Sequence, residues 1–322
     1  MTAGGAVRME KKRGVTKKIP IGLLCLFFLI GLNTAGTQQK RPDVPYVPTP
    51  EKVITEMLRM AEVGKDDVIY DLGCGDGRIV IQAAKELGCR GVGVDINPQR
   101  IKESRENAVK AGVEKRVEFI LMDLFEADIN QSTVVTLYLL SSVNLRLRPK
   151  LLRELKSGTR VVSHDFGMAE WKPDESTIIE EKFDNYIPFD NSRLIENFWD
   201  KHNVYLWIIP ANVTGVWNWT LPAISGKKQY MMELDQTFQE VEGKAFEDLT
   251  SIPLHIKDEK IKGDRLEFTL ERKLKGLTQR LHFEGRVKDH TMEGVLRIEG
   301  KPGVNEKWRA KRDPSTFKPI EQ

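Results

Sequence analysis

From Val53 to about Pro210 the chain alternates between short apolar runs and stretches of helical period. Val53, Ile54, Met57, Leu58 and Ala61 recur at three- and four-residue spacing, which marks one face of a helix. Thr49 stands where an N-cap belongs, with Pro50 at the first helical position. Upstream, Pro42, Pro45, Pro48 and Pro50 hold the chain extended. The pattern then predicts a strand over Val68–Asp71, a helix over Arg78–Leu87 and a strand over Gly91–Asp95. A helix over Pro98–Ala111 and a strand over Val117–Met122 follow. Val134–Leu140 is an uninterrupted apolar strand, Leu145–Leu155 a helix and Arg160–Ser163 a strand. Such alternation predicts an α/β fold, with a parallel sheet covered on both faces. Thr177–Lys182 and Val204–Pro210 have no helix of that kind between them, and are expected to close the sheet edge as an antiparallel pair.

After Pro210 the helical period disappears. Short alternating runs take over at Val216–Leu221, Tyr230–Asp235, Phe238–Glu242, Leu266–Leu270, Leu281–Phe283, Val295–Ile298 and Trp308–Ala310. Glycines punctuate them, and the dipeptide Glu-Gly recurs at 242–243, 284–285, 293–294 and 299–300. This predicts a small antiparallel all-β barrel or sandwich over 211–313, with 314–322 as a tail. Trp217, Trp219, Phe238, Phe268 and Phe283 read as its core rather than as a ligand cage. Gly215 and Trp217 near its start, and Trp308-Arg309 near its end, loosely resemble lipocalin- or avidin-like barrels. Such a part binds a lipid or a peptide, or simply holds a substrate near the first domain, and its role stays open.

Charge changes the picture at the amino end. Residues 1–40 carry seven basic side chains against one acid, Glu10, so of the total of +3 the remainder of the chain holds −3. A slightly acidic body is poorly suited to gripping phosphate backbones, so no nucleic-acid partner is expected. Ile19–Leu32 is an apolar run of 14 residues behind six basic side chains. That length suits a signal peptide and falls short of the roughly 20 residues of a membrane span. Residues 1–40 are therefore expected to be a signal peptide or a membrane anchor, placing the protein on a membrane or beyond it. Export conflicts with a cytosolic supply of nucleotide-derived cofactors. Cys25, Cys74 and Cys89 form no disulfide scaffold or CxxC pattern, and the five histidines lack metal-ligand spacing, so no metal is expected. Asn130, Asn212 and Asn218 open glycosylation sequons, which matter only in a eukaryotic secretory pathway.

The chemistry concentrates at the strand ends. The first strand runs into Asp71-Leu72-Gly73-Cys74-Gly75-Asp76-Gly77, a turn that brings backbone N–H groups to a ligand and opens a helix behind it. A dinucleotide fingerprint needs glycine at 78, where Arg78 stands, so NAD is disfavoured. Asp95 ends the second strand, 20 residues after Gly75, where a carboxylate accepts both hydroxyls of a ribose. Asp123 follows the third strand, placed for the exocyclic amine of a base. Asp71 suits an ammonium group. An ammonium, a ribose and an adenine on one ligand describe S-adenosylmethionine (SAM). Each aspartate alone reads equally well as a cap or a turn residue; the three together with the glycine turn do not.

On these residues the chain, over about 41–210, resembles the class I, seven-strand SAM-dependent methyltransferases with their Rossmann-like sheet. Pro45-Tyr46-Val47-Pro48-Thr49-Pro50, followed by Asp71-Leu72-Gly73-Cys74-Gly75-Asp76-Gly77-Arg78, is similar to the ATP synthase c-subunit lysine methyltransferase family and, more distantly, to the seven-strand histone-lysine methyltransferase. Gly158–Ser163 fits the same pattern. The resemblance implies that the Pro-Thr-Pro segment folds over the cofactor, making Thr49, Gly73, Gly75 and Gly77 cofactor residues beside the three aspartates. It implies an acceptor channel at Tyr46 and a protein lysine as acceptor; Tyr138, which reads equally well as a core strand residue, and Ser141 are further candidates for the channel lining. After the fourth strand the chain has Leu140-Ser141-Ser142-Val143-Asn144, without that family's usual proline. A lysine must lose its proton first, which costs about 4 kcal/mol from pKa 10.4 to pH 7.4. A dry aromatic channel lowers that cost. His164-Asp165 reads as a hydrogen-bonded turn or as a proton acceptor. A small-molecule or lipid methyltransferase and a non-catalytic SAM-binding protein are the alternatives.

Overall fold

Runs of buried Val, Ile and Leu build the centre of the first sheet. In the computed structural model, which describes residues 43–186, 195–223, 226–248, 252–274, 276–301 and 305–320, five parallel strands come first. They are β1 (Val68–Leu72), β2 (Arg90–Asp95), β3 (Val117–Leu121), β4 (Val134–Leu137) and β5 (Arg160–His164). β6 (Glu175–Tyr186) and β7 (Ile195–Ile208) complete a seven-stranded sheet of order β3-β2-β1-β4-β5-β7-β6. β7 runs antiparallel to β5 and to β6, the edge pair expected from sequence, in longer strands. The expected signal or anchor segment and Cys25 lie outside the described residues. Among the described residues no helix is long and apolar enough to cross a membrane.

Helices α1 (Glu51–Met60), α2 (Arg78–Leu87) and α3 (Pro98–Ala111) cover one face, packing Ile54, Met57, Ile79, Val80 and Ile101 against Ile69, Val134 and Val162. α4 (Ser141–Glu154) covers the other, with Leu147 and Leu151 against Val135, Leu137 and Val161. β1 is flanked by β2 on one side and β4 on the other, so the strand order reverses there and a crevice opens at the strand ends. Beneath it, Asp67 ties three segments together: it pairs with Arg160 and accepts from Thr133 Oγ1 (2.6 Å) and Gly64 N (2.8 Å).

Three boundary differences from the sequence reading bear on the site. α1 starts at Glu51 with Pro50 as its N-cap residue and no side-chain cap; Thr49 turns inward instead. β4 ends at Leu137, because Tyr138, Leu139 and Leu140 leave the ladder toward the crevice. α4 consequently begins at Ser141, four residues before the expected start.

The second sheet has eight antiparallel strands in the order β10-β9-β8-β15-β14-β13-β12-β11. They are β8 (Gly215–Ala223), β9 (Gly226–Thr237), β10 (Glu240–Glu247), β11 (His255–Lys262), β12 (Arg265–Leu274), β13 (Leu277–Lys288), β14 (Thr291–Ile298) and β15 (Asn305–Arg312). A bridge between Ala245 and Leu254 nearly closes it into a barrel. Trp217, Trp219, Phe268 and Phe283 fill the interior, as expected, and Trp308 joins them. Gly285 and Gly294 face each other across β13 and β14; an added Cβ at Gly285 would lie 2.8 Å from the Trp308 ring. The cation over Trp217 is Arg312, at 4.7 Å, while Arg309 is exposed.

Phe238 departs from its predicted place. It lies in the turn between β9 and β10 at φ 53°, not in a strand, and its ring enters the core of the first sheet. There it stacks on Trp171 at 5.6 Å, and the Arg148 guanidinium of α4 lies 5.0 Å from the centre of its ring. The tail is also fixed: Val216 N donates to Thr316 Oγ1, and Lys318 N to Thr214 Oγ1.

Candidate active site

The glycine turn after β1 wraps around the end of β2. Gly73 N and Cys74 N donate to Val94 O at 2.8 and 3.0 Å. Gly73, Gly75 and Gly77 all hold positive φ (89°, 52° and 79°), which L side chains rarely adopt. Gly75 N donates to Asp95 Oδ2 at 2.9 Å, and Asn97 N donates to Asp95 Oδ1 at 2.8 Å. These two bonds fix the Asp95 carboxylate at the crevice while leaving each oxygen further lone pairs.

The crevice is a cleft beside the glycine turn and the end of β2. It is lined by Tyr46, Thr49, Asp71, Gly73, Gly75, Asp95, Asp123 and Tyr138, so eight of the ten expected site residues meet there. Gly77 does not line it. It caps α2 and packs against Phe119 and Ser104, a structural post behind the turn. Ser141 does not line it either: it is exposed on the first turn of α4, and Leu139 and Val143 take the place expected for it. The early start of α4 causes that displacement.

Tyr46 lies across the glycine turn. A Cβ at Gly75 would come within 2.5 Å of its ring, so the absent side chain is what lets the ring lie flat. Arg100 of α3 stands 4.3 Å over the same ring, and Arg78, paired with Asp76 at 2.7 Å, donates to Thr49 O at 3.2 Å. The extended proline segment is thus pinned over the cleft from α2 and α3. Arg100, Asn97 and the Asp76–Arg78 pair escaped the sequence reading. Asn97-Pro98, a helix cap followed by an N1 proline, was the visible signal.

Asp71 is buried and accepts from Thr136 Oγ1 at 2.9 Å. Burial pushes its carboxyl up to about 7; the Thr136 bond opposes this, and Asp95 and Asp76 add to it. Such a carboxyl is primed for a cation. Cys74 and Cys89 are free and buried, as expected, and burial drives the Cys74 thiol far up.

Tyr138 stacks on His164 at 3.8 Å, and burial raises its hydroxyl, helped by Asp165 and Asp200. His164-Asp165 is the hydrogen-bonded turn foreseen as one reading. Asp165, at φ 58°, exchanges bonds with Asn203, N to O at 2.7 Å and Oδ1 from N at 2.8 Å. His202, 38 residues away in sequence, lies against His164 across the β5–β7 pairing, with Asp165 between them. Sequence spacing held no sign of that cluster.

The family model described as the ANTKMT methyltransferase domain matches residues 71–175. A protein-lysine N-methyltransferase of Saccharolobus islandicus is 48% identical over 169 residues, which is 52% of this chain and 95% of that protein. The human ATP synthase c-subunit lysine N-methyltransferase is 35% identical over 156 residues, 48% of this chain and 66% of that protein. Among solved structures, a protein described as an RNA methyltransferase from Salinibacter ruber, in complex with S-adenosyl-L-homocysteine, matches at 48% identity with a TM-score of 0.44, over 52% of this chain and 96% of that one. The relatives thus account for about half the chain, and the family model stops short of the eight-stranded sheet. By its likeness to a relative matched over nearly its whole length, the chain belongs to the SAM-dependent protein-lysine N-methyltransferases.

Proposed function

We propose that this chain methylates a protein lysine, with the cleft at the ends of β1, β2 and β4 as the reaction site. The observation that carries the reading is the convergence of Asp71, Asp95 and Asp123 on one cleft beneath Tyr46 and Thr49. SAM supplies an activated methyl group on a sulfonium. The donor set fits it: Asp71 takes the ammonium, Asp95 the ribose hydroxyls and Asp123 the base edge, while Gly73 and Gly75 admit its backbone-hugging path. Tyr46, Tyr138, Val143 and Leu139 then wall the approach of the amine and exclude water. A flexible lysine on a protein suits the mouth, where the exposed apolar side chains Tyr46 and Val47 line the cleft. An enclosed pocket would favour a small molecule.

The test is incubation of the protein with methyl-labelled SAM and cell extract, followed by digestion and mass spectrometry. The expected product is methyl-lysine in protein. Label in lipid, RNA or a small molecule overturns the reading.

Asp71 gives the site a pH signature. In the empty site its carboxyl keeps its proton below about 7. A bound ammonium requires the carboxylate, so binding releases a proton on the acid side. SAM affinity is therefore expected to rise with pH by up to about tenfold per unit until that point, then to level off. Calorimetry at pH 6 in two buffers of different ionisation enthalpy reads the released proton directly; a buffer-independent heat would remove Asp71 from the ammonium site.

A further inference from the structure

Two histidines lie behind the acceptor side of the cleft without a part in the chemistry above. His164 ends β5 and is fully buried; His202, on β7, is 7% exposed. His164 Nε2 is 3.0 Å from His202 Nδ1 and 3.2 Å from Asp165 Oδ2. His164 Nδ1 is 3.4 Å from Thr49 Oγ1, on a residue that lines the cleft. His202 Nε2 has no hydrogen-bond partner among the described residues, and faces Asp200 Oδ2 at 3.5 Å. The Asp200 side chain is 42% exposed, so the row runs from the cleft to solvent.

The partners place the hydrogens. His164 Nε2 faces the Asp165 carboxylate, which only accepts, and so carries the hydrogen. Its Nδ1 is then bare, and the Thr49 hydroxyl donates to it. His202 Nδ1 accepts from His164, which leaves the His202 hydrogen on Nε2, toward the Asp200 carboxylate. Every donor in the row points outward. Burial holds the His164 ring neutral, with its pKa down to about 4, so it passes a proton on rather than keeping it.

We propose that Thr49, His164, His202 and Asp200 form a relay that carries the proton of the incoming lysine ammonium out of the cleft. The proposal rests on the lysine reading above. The substrate N–H bond breaks as its proton moves to Thr49 Oγ1, whose own hydrogen passes to His164 Nδ1. The hydrogen on His164 Nε2 moves to His202 Nδ1, and that on His202 Nε2 moves to Asp200 and on to water. One proton leaves, the amine keeps its electron pair, nothing is oxidised or reduced, and both rings, left with the hydrogen on Nδ1, return to the Nε2–H form before the next turnover. Asp165 steadies a transient positive charge on either ring, at 3.2 Å from one and 3.6 Å from the other. The other titratable groups around the pair are Tyr138, stacked on His164, and Glu181 of β6, which stands opposite Asp200 and pairs with Lys52 of α1 at 3.6 Å. Toward the sheet α1 brings apolar Val53, Ile54 and Met57.

The test uses the full chain on its lysine substrate between pH 6.5 and 9.5. His202→Leu is expected to lower kcat about 10- to 100-fold at pH 7 with KM for SAM unchanged. The deficit closes toward pH 9.5, where solvent takes the lysine proton unaided. Asp200→Asn, a change at the surface, shows the same pH-dependent deficit in smaller measure should His202→Leu fold poorly. Thr49→Ser retains the relay, and Thr49→Val loses it. Independently of turnover, ¹⁵N spectra of the unliganded protein at pH 7 should show the His164 ring neutral and the hydrogen of both rings on Nε2. An equal deficit at every pH, wild-type kcat in His202→Leu, Nδ1–H rings, or one equivalent of metal bound through the two histidines overturns the relay. A wild-type protein that methylates no lysine overturns the lysine reading as well, which separates the two failures.

Discussion

Asp95→Ala is expected to abolish useful binding of SAM. The carboxylate holds Gly75 N and Asn97 N in place, and in the proposed site its remaining lone pairs would serve the ribose. Hydrogen bonds to a charged group contribute about 1.5–3 kcal/mol each. Losing two ribose bonds therefore costs about 3–6 kcal/mol, or roughly 100-fold to more than 10,000-fold in Kd. The loosened glycine turn adds to the loss. The fold should persist, because Asp95 lies at the rim and α2, α3 and β2 pack through other residues. Calorimetry with SAM and a melting curve of the free protein check both halves. Unchanged affinity in a folded Asp95→Ala protein would remove the ribose assignment.

Gly77→Ala should instead damage the fold. Gly77 caps α2 at φ 79°, where an L side chain costs about 1–2 kcal/mol. Its new Cβ would lie 2.6 Å from Phe119 Cε1 and 2.9 Å from Ser104 Cβ. Both neighbours are buried, one on β3 and one on α3, so neither swings aside freely. Overpacking of this kind costs about 1–3 kcal/mol, for a total of about 2–5 kcal/mol. Thermal denaturation should show a Tm lower by roughly 5–15 °C. Gly75→Ala offers the contrast, since there the Cβ meets the partly exposed Tyr46 ring, which can move away. A Gly77→Ala melting curve that overlays the wild type would show that Phe119 and Ser104 yield.

The elements that sequence located to the residue are those with chemical punctuation. Arg78–Leu87 sits between glycines, and Pro98–Ala111 between an Asn-Pro start and Gly112. Val134–Leu140 carries no such mark. An apolar run is equally suited to a strand and to the wall of a cleft, so the ladder's end at Leu137 and the true start of α4 were hidden. That error displaced Ser141 from the site. β11 was missed because its sequence, mostly Lys, Asp and Glu with one buried Ile261, lacks the alternation of a half-buried strand. Asp71, Asp95 and Asp123 were legible because each lies at or just beyond the end of a strand whose place in a parallel sheet is set by topology. His202 was not, because only the antiparallel pairing of β5 with β7 brings it beside His164.

The turn at Phe238 alters how the two halves of the molecule can be treated. Its ring fills a socket made by Trp171 and Arg148, and Gln239 beside it donates to Lys172 O at 2.6 Å. Cutting the chain near Pro210 would pull that plug and open an apolar hole on the α4 side of the catalytic sheet. Here the barrel acts as a wedge, and a load applied to it would be felt first by the helix whose leading turn borders the mouth of the cleft.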